Sequence, residues 1–220
     1  MLKNGSFEAG WTDIEIGGVT RNQQPLFWNL RWLEPGEKLY GSDDKAAAVP
    51  ECVHKHRDQL PRHEHPGQPG ALILDGVYVY KVFHSGQPFG AELWQIVRGL
   101  EPGTIAQVSV PVLLDAHDNN DPYGSEVCVS LCSSEQWVNA ESLGQRQWQR
   151  IVVEATVPPA GEALLCIRFK SKWRLPVDFF IDDIKFDCTP DDDPEPPTPD
   201  DPIVITVIVP DGVEVEVERV

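Results

Sequence analysis

The segment FFIDDIKFD, Phe179 to Asp187, sets two adjacent carboxylates inside a run of β-forming apolar residues. Successive side chains of a strand point to opposite faces, so one of Asp182 and Asp183 must face whatever the phenylalanines pack against. Phe180, Asp182, Ile184 and Phe186 share one face; Phe179, Ile181, Asp183 and Lys185 share the other, which Lys185 makes the wetter. Asp182 is therefore the carboxylate expected to point inward. Buried without a partner it is costly, so it needs a proton, a cation or a metal.

A second carboxylate stands beside an aromatic anchor in LKNGSFEAGW, where Glu8 follows Phe7. If the two ends of the body lie together, Glu8 and Asp182 meet. With backbone carbonyls such as those of Ser6 and Asp182 they make a hard oxygen cage of the kind Ca²⁺ takes. Equally, each carboxylate accepts hydrogen bonds from backbone amides and no ion is involved. Both readings stand on spacing alone.

The stretch HKHRDQLPRHEH repeats His-x-His. In extended backbone each pair lies on one face, so His54, His56, His63 and His65 have the composition of a Zn²⁺ or Ni²⁺ site. Pro61 and the lack of a nearby cysteine weigh against it, and a solvated polar loop is the alternative.

These residues need a scaffold, and composition indicates its class. Twenty prolines, seventeen glycines and seven tryptophans among 220 residues suit an all-β protein with many turns. With 35 acidic against 18 basic residues the net charge is −17, which argues against nucleic acid or an anionic membrane as partner. The start MLKNGSFE has no apolar stretch of signal-peptide length and no run is long enough to span a bilayer, so a soluble chain is expected. The five cysteines form no CxxC and read as reduced, buried thiols rather than a disulfide framework.

Strands are expected near Leu2–Phe7, Phe27–Leu33, Ala46–Val49, Ala71–Leu74, Val77–Phe83, Ala91–Val97, Thr104–Leu114, Glu126–Leu131, Trp148–Val157, Ala163–Lys170 and Phe179–Phe186. Turn signals separate them, such as EPG at Glu101–Gly103 and PPAG at Pro158–Gly161, and the pattern predicts two antiparallel sheets packed as a sandwich over residues 1–188. The polar stretch Pro50–Gly70 reads as a long loop, functional or mobile. Residues 189–202 are a linker rich in proline and aspartate. In residues 203–220 two β-rich runs flank Asp211-Gly212, a hairpin signal; such a hairpin is expected to dock on the body, on another copy, or on a further domain.

NGSFEAGW and FFIDDIKF together resemble the two ends of jelly-roll carbohydrate-binding modules of the cellulose- and xylan-binding type, within the galactose-binding-like β-sandwich group. AELWQIVRGLEPGTIAQVSVPV, Ala91 to Val112, resembles their passage of strand, Pro-Gly turn and long strand. The resemblance spans roughly residues 2–187 and is weak between about 35 and 75. It implies a structural calcium ion where Glu8, the Ser6 carbonyl and Asp182 converge. A narrower likeness of ALILDGVYVYKVFHSGQPFGAELWQIV and SKWRLPVDFFIDDI is to jelly-roll proteins of bacterial and phage genomes with mostly unassigned ligands.

Carbohydrate recognition needs flat apolar faces for sugar rings and oriented polar groups for hydroxyls. Trp173, in the polar loop SKWRLP, and Trp94 are the expected platforms, with hydrogen bonds from Lys81, Tyr78 and Asp115; Asp115 clusters with His117 and Asp118 at a strand end. A tryptophan is also a common core residue, and a strand end a common solvated turn. There is no Gly-x-Ser-x-Gly elbow, His-Glu-x-x-His helix or phosphate-binding glycine loop. Glu51, Asp75 and Asp115 are the carboxylates that could converge as in a glycosidase. The expectation is a non-catalytic, polysaccharide-binding module in an extracellular or virion-surface setting. The rivals are a structural or adhesion component that forms a homo-oligomer through its C-terminal hairpin, and a polysaccharide-active enzyme.

Overall fold

The structure is a computed structural model, and the description covers residues 1–16, 20–116 and 121–189. The expected linker and hairpin, from residue 190 onward, lie outside the described residues, as do His117 and Asp118.

Two antiparallel sheets face one another. One is built from β4 (Glu51–His56), β5 (Tyr78–His84), β7 (Ile105–Ala116), β10 (Trp148–Thr156) and β12 (Val177–Ile181) in the order β10-β7-β12-β5-β4, with β13 (Lys185–Thr189) also paired to β7. The other is built from β3 (Asn29–Trp32), β6 (Phe89–Arg98), β8 (Ser125–Leu131), β9 (Ser134–Asn139) and β11 (Glu162–Ser171) in the order β3-β6-β11-β8-β9. A hairpin of β1 (Trp11–Ile16) and β2 (Thr20–Pro25) forms a separate two-stranded sheet beside β4, and a single turn of helix, α1 (Ala140–Leu143), follows β9. This is the jelly-roll sandwich that the sequence predicts.

Alternation along the strands makes the core. Val108, Val110, Val112 and Leu114 of β7 and Phe179 and Ile181 of β12 point inward to meet Leu93, Leu165, Ile167, Phe169, Val127 and Val129 from the other sheet. Gly103 and Gly161 take positive φ of 86° and 66° at the two expected turns, a conformation that favours glycine.

Edge strand β4 is closed by side chains. The N–H groups of Cys52, His54 and His56 donate to Asn22 Oδ1 (2.9 Å), Gln23 Oε1 (2.7 Å) and Gln59 Oε1 (2.9 Å). These amide side chains satisfy donors that would otherwise recruit another strand.

Five expectations need correction. Leu2–Phe7 forms turns rather than a strand, Ala46–Val49 and Ala71–Leu74 are irregular, and Pro50–Gly70 contains β4 and two short 3-10 turns. The run Phe179–Phe186 is two strands, broken at residues 182–184 where Asp183 takes φ +52°. Most consequential is the strap of residues 57–75, which folds over the outward face of the β10-β7-β12-β5-β4 sheet. Its Leu60, Leu72 and Ile73 pack on Val79, Leu113, Phe180 and Trp148, and Trp148 Nε1 donates to the Ala71 carbonyl at 2.8 Å. Phe180 is thus buried on the side opposite Phe179, so β12 is covered on both faces.

Candidate functional site

Asp182 and Glu8 meet on one turn, residues 74–78. Asp182 is fully buried. Its Oδ2 accepts from the backbone N–H groups of Leu74 (2.7 Å) and Asp75 (3.0 Å), and its Oδ1 from that of Asp183 (2.7 Å). Glu8 Oε1 accepts from the N–H groups of Val77 (2.8 Å) and Tyr78 (2.7 Å). The ends of the body adjoin as expected, for Ile184 N–H donates to the Gly5 carbonyl at 2.9 Å, and half-buried Ser6 sits in that first turn. Burial pushes the Asp182 carboxyl up to about 7, against three N–H donors that favour its charged form. Calcium takes about six to eight oxygen ligands, whereas these carboxylates face the positive ends of peptide dipoles. Among the described residues no group of three or more His, Cys, Asp or Glu gathers that could add side chains to the Glu8 and Asp182 pair. The donor set fits peptide amides rather than a cation.

The four histidines do not assemble either, which corrects the Zn²⁺ or Ni²⁺ reading. His54 is buried and stacks on Trp11 with centroids 4.3 Å apart; burial pushes its imidazole down to about 4. His56 Nδ1 accepts from Asp58 N–H at 3.2 Å, His65 Nε2 lies 3.0 Å from the Leu60 carbonyl oxygen, and the His63 side chain is exposed.

The expected ligand residues are divided between sites. Lys81 and Asp115 lie on the strapped sheet, both already paired. Lys81 pairs with Asp178 and sits 4.0 Å from the Phe83 ring centroid. Asp115 accepts from Gln145 Nε2 (2.7 Å) and pairs with Arg146, which also holds Glu64 of the strap. Tyr78 packs edge-on against Trp11 at 5.4 Å, beside the β1–β2 hairpin. Trp173 is half-buried against the core, with its indole so close to Gly124 that a Cβ there would lie 1.6 Å from it. Trp94 alone lies on the outward face of the five-stranded sheet.

That face is built by alternation and register. Trp94 stands opposite Asn29 on one side and Cys166 on the other; one row along, Arg31, Glu92, Arg168, Cys128 and Trp137 follow one another across β3, β6, β11, β8 and β9. Trp94 on β6 and Trp137 on β9 are therefore three strand spacings apart, roughly 14 Å across the sheet, and two residues, roughly 7 Å, apart along it. Between them Arg168 Nε donates to Glu92 Oε2 at 3.2 Å, and Arg31 approaches Glu92 at 3.6 Å. At one side the segment 33–46 walls the face: Lys170 Nζ donates to the Tyr40 carbonyl (2.7 Å), pairs with Glu126 (2.8 Å) and lies 4.5 Å from the Trp137 ring centroid. A cavity of about 130 Å³ opens there between Gly41, Ser42, Asp44, Tyr123 and Lys170. At the other side Ile96 and Leu164, exposed partners across β6 and β11, continue the apolar surface. Sequence reasoning missed Trp137 and Tyr40. Local sequence gives little signal for Trp137, because polar residues stand on both faces of β9, Glu135 and Asn139 on its own and Ser134 and Gln136 on the other.

No family model and no curated protein matches the sequence. Among solved structures, the carbohydrate-binding module TmCBM61, in complex with β-1,4-galactotriose, matches with TM-score 0.52 at 16% identity over 86% of this chain and 97% of that one. The chain has the β-sandwich fold of carbohydrate-binding modules. A CBM4 structure matches with TM-score 0.45 at 14% identity over 86% of this chain and 100% of that one. The CBM22-1 xylan-binding domain of Paenibacillus barcinonensis Xyn10C matches with TM-score 0.42 at 11% identity over 84% and 91%.

Of the carboxylates that could converge as in a glycosidase, Glu51 and Asp115 stay apart. Glu51 and Asp115 occupy one cross-strand row with Phe83 and Asp178 between them, roughly 14 Å across, wider than the ~9.5 Å limit of an inverting glycosidase pair. Asp75 sits on the turn held by Asp182. The thiols on the open sheet are poor nucleophiles, because burial pushes Cys128 up to about 11 and Cys166 up to about 12. No helix among the described residues is long and apolar enough to cross a membrane.

Proposed function

We propose that the chain binds polysaccharide on the outward face of the five-stranded sheet. The observation that carries this reading is the contrast between the two outward faces. One is covered by the strap, while the other keeps Trp94 and Trp137 half-exposed on a common surface with the Glu92–Arg168 pair between them. Sugar rings stack on the two indoles, and hydroxyls hydrogen-bond to Arg168 and Glu92, whose charges are already balanced by each other. The distance between the indoles suits an oligosaccharide stretch rather than one sugar. An extracellular or virion-surface setting follows from such a ligand.

Affinity electrophoresis through gels containing neutral polysaccharides tests it. Retardation by at least one polysaccharide, reduced by Trp94→Ala, is expected; free migration in all of them contradicts the reading.

A second reading is assembly through residues 203–220. The exposed apolar residues Phe27, Ile96 and Leu164, 56%, 38% and 46% accessible, favour it as a surface on which another copy docks. Light scattering of the full chain decides it: a monomer at all concentrations excludes this reading.

A further inference from the structure

Two carboxylates from opposite ends of the body, Glu8 and Asp182, converge on a single five-residue turn, Leu74 to Tyr78, and four of its five backbone N–H groups point at them. We propose that Glu8 and Asp182 form a metal-independent clip, in which this turn fills the place between two carboxylates where a divalent cation would otherwise sit.

The polarity of the surroundings is the first argument. Successive peptide N–H groups that converge make an anion-binding concavity, and the anions here are the carboxylates themselves. An ion entering between them would face the positive ends of the same dipoles that the carboxylates now satisfy. Asp182 uses three of its roughly four acceptor sites on N–H groups, the third being its neighbour Asp183.

Space is the second argument. Gly76 lies at the centre of the turn with φ +71°, and a Cβ there would lie 2.3 Å from Glu8 Oε1 and 2.4 Å from its carboxyl carbon. The backbone therefore rests directly on the Glu8 carboxylate. Gly5 is packed as closely on the far side, where a Cβ would lie 2.3 Å from the Ile184 carbonyl oxygen. Only glycine fits at either contact, and at Gly76 the backbone conformation also favours it.

What the clip joins gives it a role. Glu8 follows Phe7, which is fully buried against Trp28 and Tyr80. Asp182 directly follows β12, and the turn leads from the strap into β5. Three segments far apart in sequence are tied at one point, and the strap that covers one outward face is fixed at its C-terminal end. The fold, and ligand binding on the other face, are then independent of calcium and of chelators.

Calorimetry on the full chain, stripped with EDTA and then supplied with millimolar Ca²⁺, tests the proposal. The melting temperature is expected to agree within about 1 °C in the two conditions, whereas a specifically bound ion at a hundredfold excess over its Kd raises it by about 5 °C or more for a chain of this size. A saturable rise of that kind overturns the proposal. Amide exchange gives the second readout and needs only folded protein. In EDTA the amides of Val77 and Tyr78 are expected to exchange slowly, and in Glu8→Gln at least about tenfold faster, since a neutral amide oxygen is the weaker acceptor. Fast exchange in the unaltered chain, or equal rates in Glu8→Gln, overturns it as well. Added Ca²⁺ does not slow exchange in either protein.

Discussion

Glu92 and Arg168 face each other across β6 and β11, with Arg168 Nε donating to Glu92 Oε2 at 3.2 Å, and this pair lies between Trp94 and Trp137 on the uncovered face of the sandwich. The pair leaves a neutral, hydrogen-bonding floor between two flat apolar platforms. Trp94→Ala and Trp137→Ala are each expected to weaken polysaccharide binding at least about tenfold, which corresponds to about 1.4 kcal/mol. Both rings are half-exposed, so melting temperatures should move by no more than about 3 °C. Isothermal titration beside thermal melts separates lost binding from lost folding.

The strap is latched by charge as well as by apolar packing. Arg146 bridges Glu64 of the strap to Asp115 of β7, and Glu64 is buried to 8% exposure. Arg146→Ala leaves that carboxylate in a largely dry site with only the exposed His63 imidazole 3.9 Å away, a change expected to destabilise the fold by about 3 kcal/mol. Trp148, which donates to the strap at Ala71, should report it: its fluorescence shifts to the red in the variant as the strap loosens.

The wall of the open face depends on a missing side chain. A Cβ on Gly90 would meet Leu33 Cδ1 at 2.6 Å and Tyr40 Cε2 at 3.3 Å. Gly90→Ala should displace the segment 33–46 and destabilise by about 1–3 kcal/mol through overpacking, with weaker ligand binding. Chemical denaturation and titration of the same preparation check both effects.

His54 gives the fold an acid-sensitive point. Its imidazole is buried among Phe7, Trp11, Tyr78 and Tyr80, and burial lowers its pKa from 6.5 to about 4. The unfolded chain binds a proton there between those values and the folded chain does not, so stability is lost as pH falls from about 6.5 to about 4, by at most roughly 3 kcal/mol. Asp182, raised from 3.8 to about 7, contributes with the opposite sign: its share is lost as pH rises through about 7. Comparing melts of the unaltered chain with those of His54→Gln across this range isolates the histidine, and the variant should show the shallower loss on acidification.

The sandwich was legible because β10 alternates strictly, because β6, β7 and β11 are long runs rich in apolar, β-forming residues, and because Gly103 and Gly161 mark their turns. The β1–β2 hairpin was not, since TRNQQP is polar throughout and its Asn22 and Gln23 act as hydrogen-bonding caps for β4 rather than as a buried face. Asp182 was read correctly as the more buried carboxylate and Asp183 as the wetter one, but the faces were not, for Phe179 and Ile181 meet the core between the sheets while Phe180 and Asp182 meet the strap. The continuous strand drawn through them was not, because the chain breaks where Asp182 accepts from backbone N–H donors, that of its neighbour Asp183 among them. At the candidate site Trp94 was visible in a clear strand. Trp137 was not, because β9 is an edge strand in which both faces carry polar residues. Trp173 sits in a polar loop, yet its indole packs against Gly124 and the core, a long-range contact that local sequence does not announce.

The most direct test of the central claim is affinity electrophoresis of the unaltered chain, of Trp94→Ala with Trp137→Ala, and of Lys81→Ala, in gels containing neutral polysaccharides. The account predicts retardation of the unaltered chain, its loss in the double tryptophan variant, and its survival in Lys81→Ala on the strapped face. Retardation that survives removal of both tryptophans, or that disappears with Lys81 in a protein that still melts normally, would contradict it.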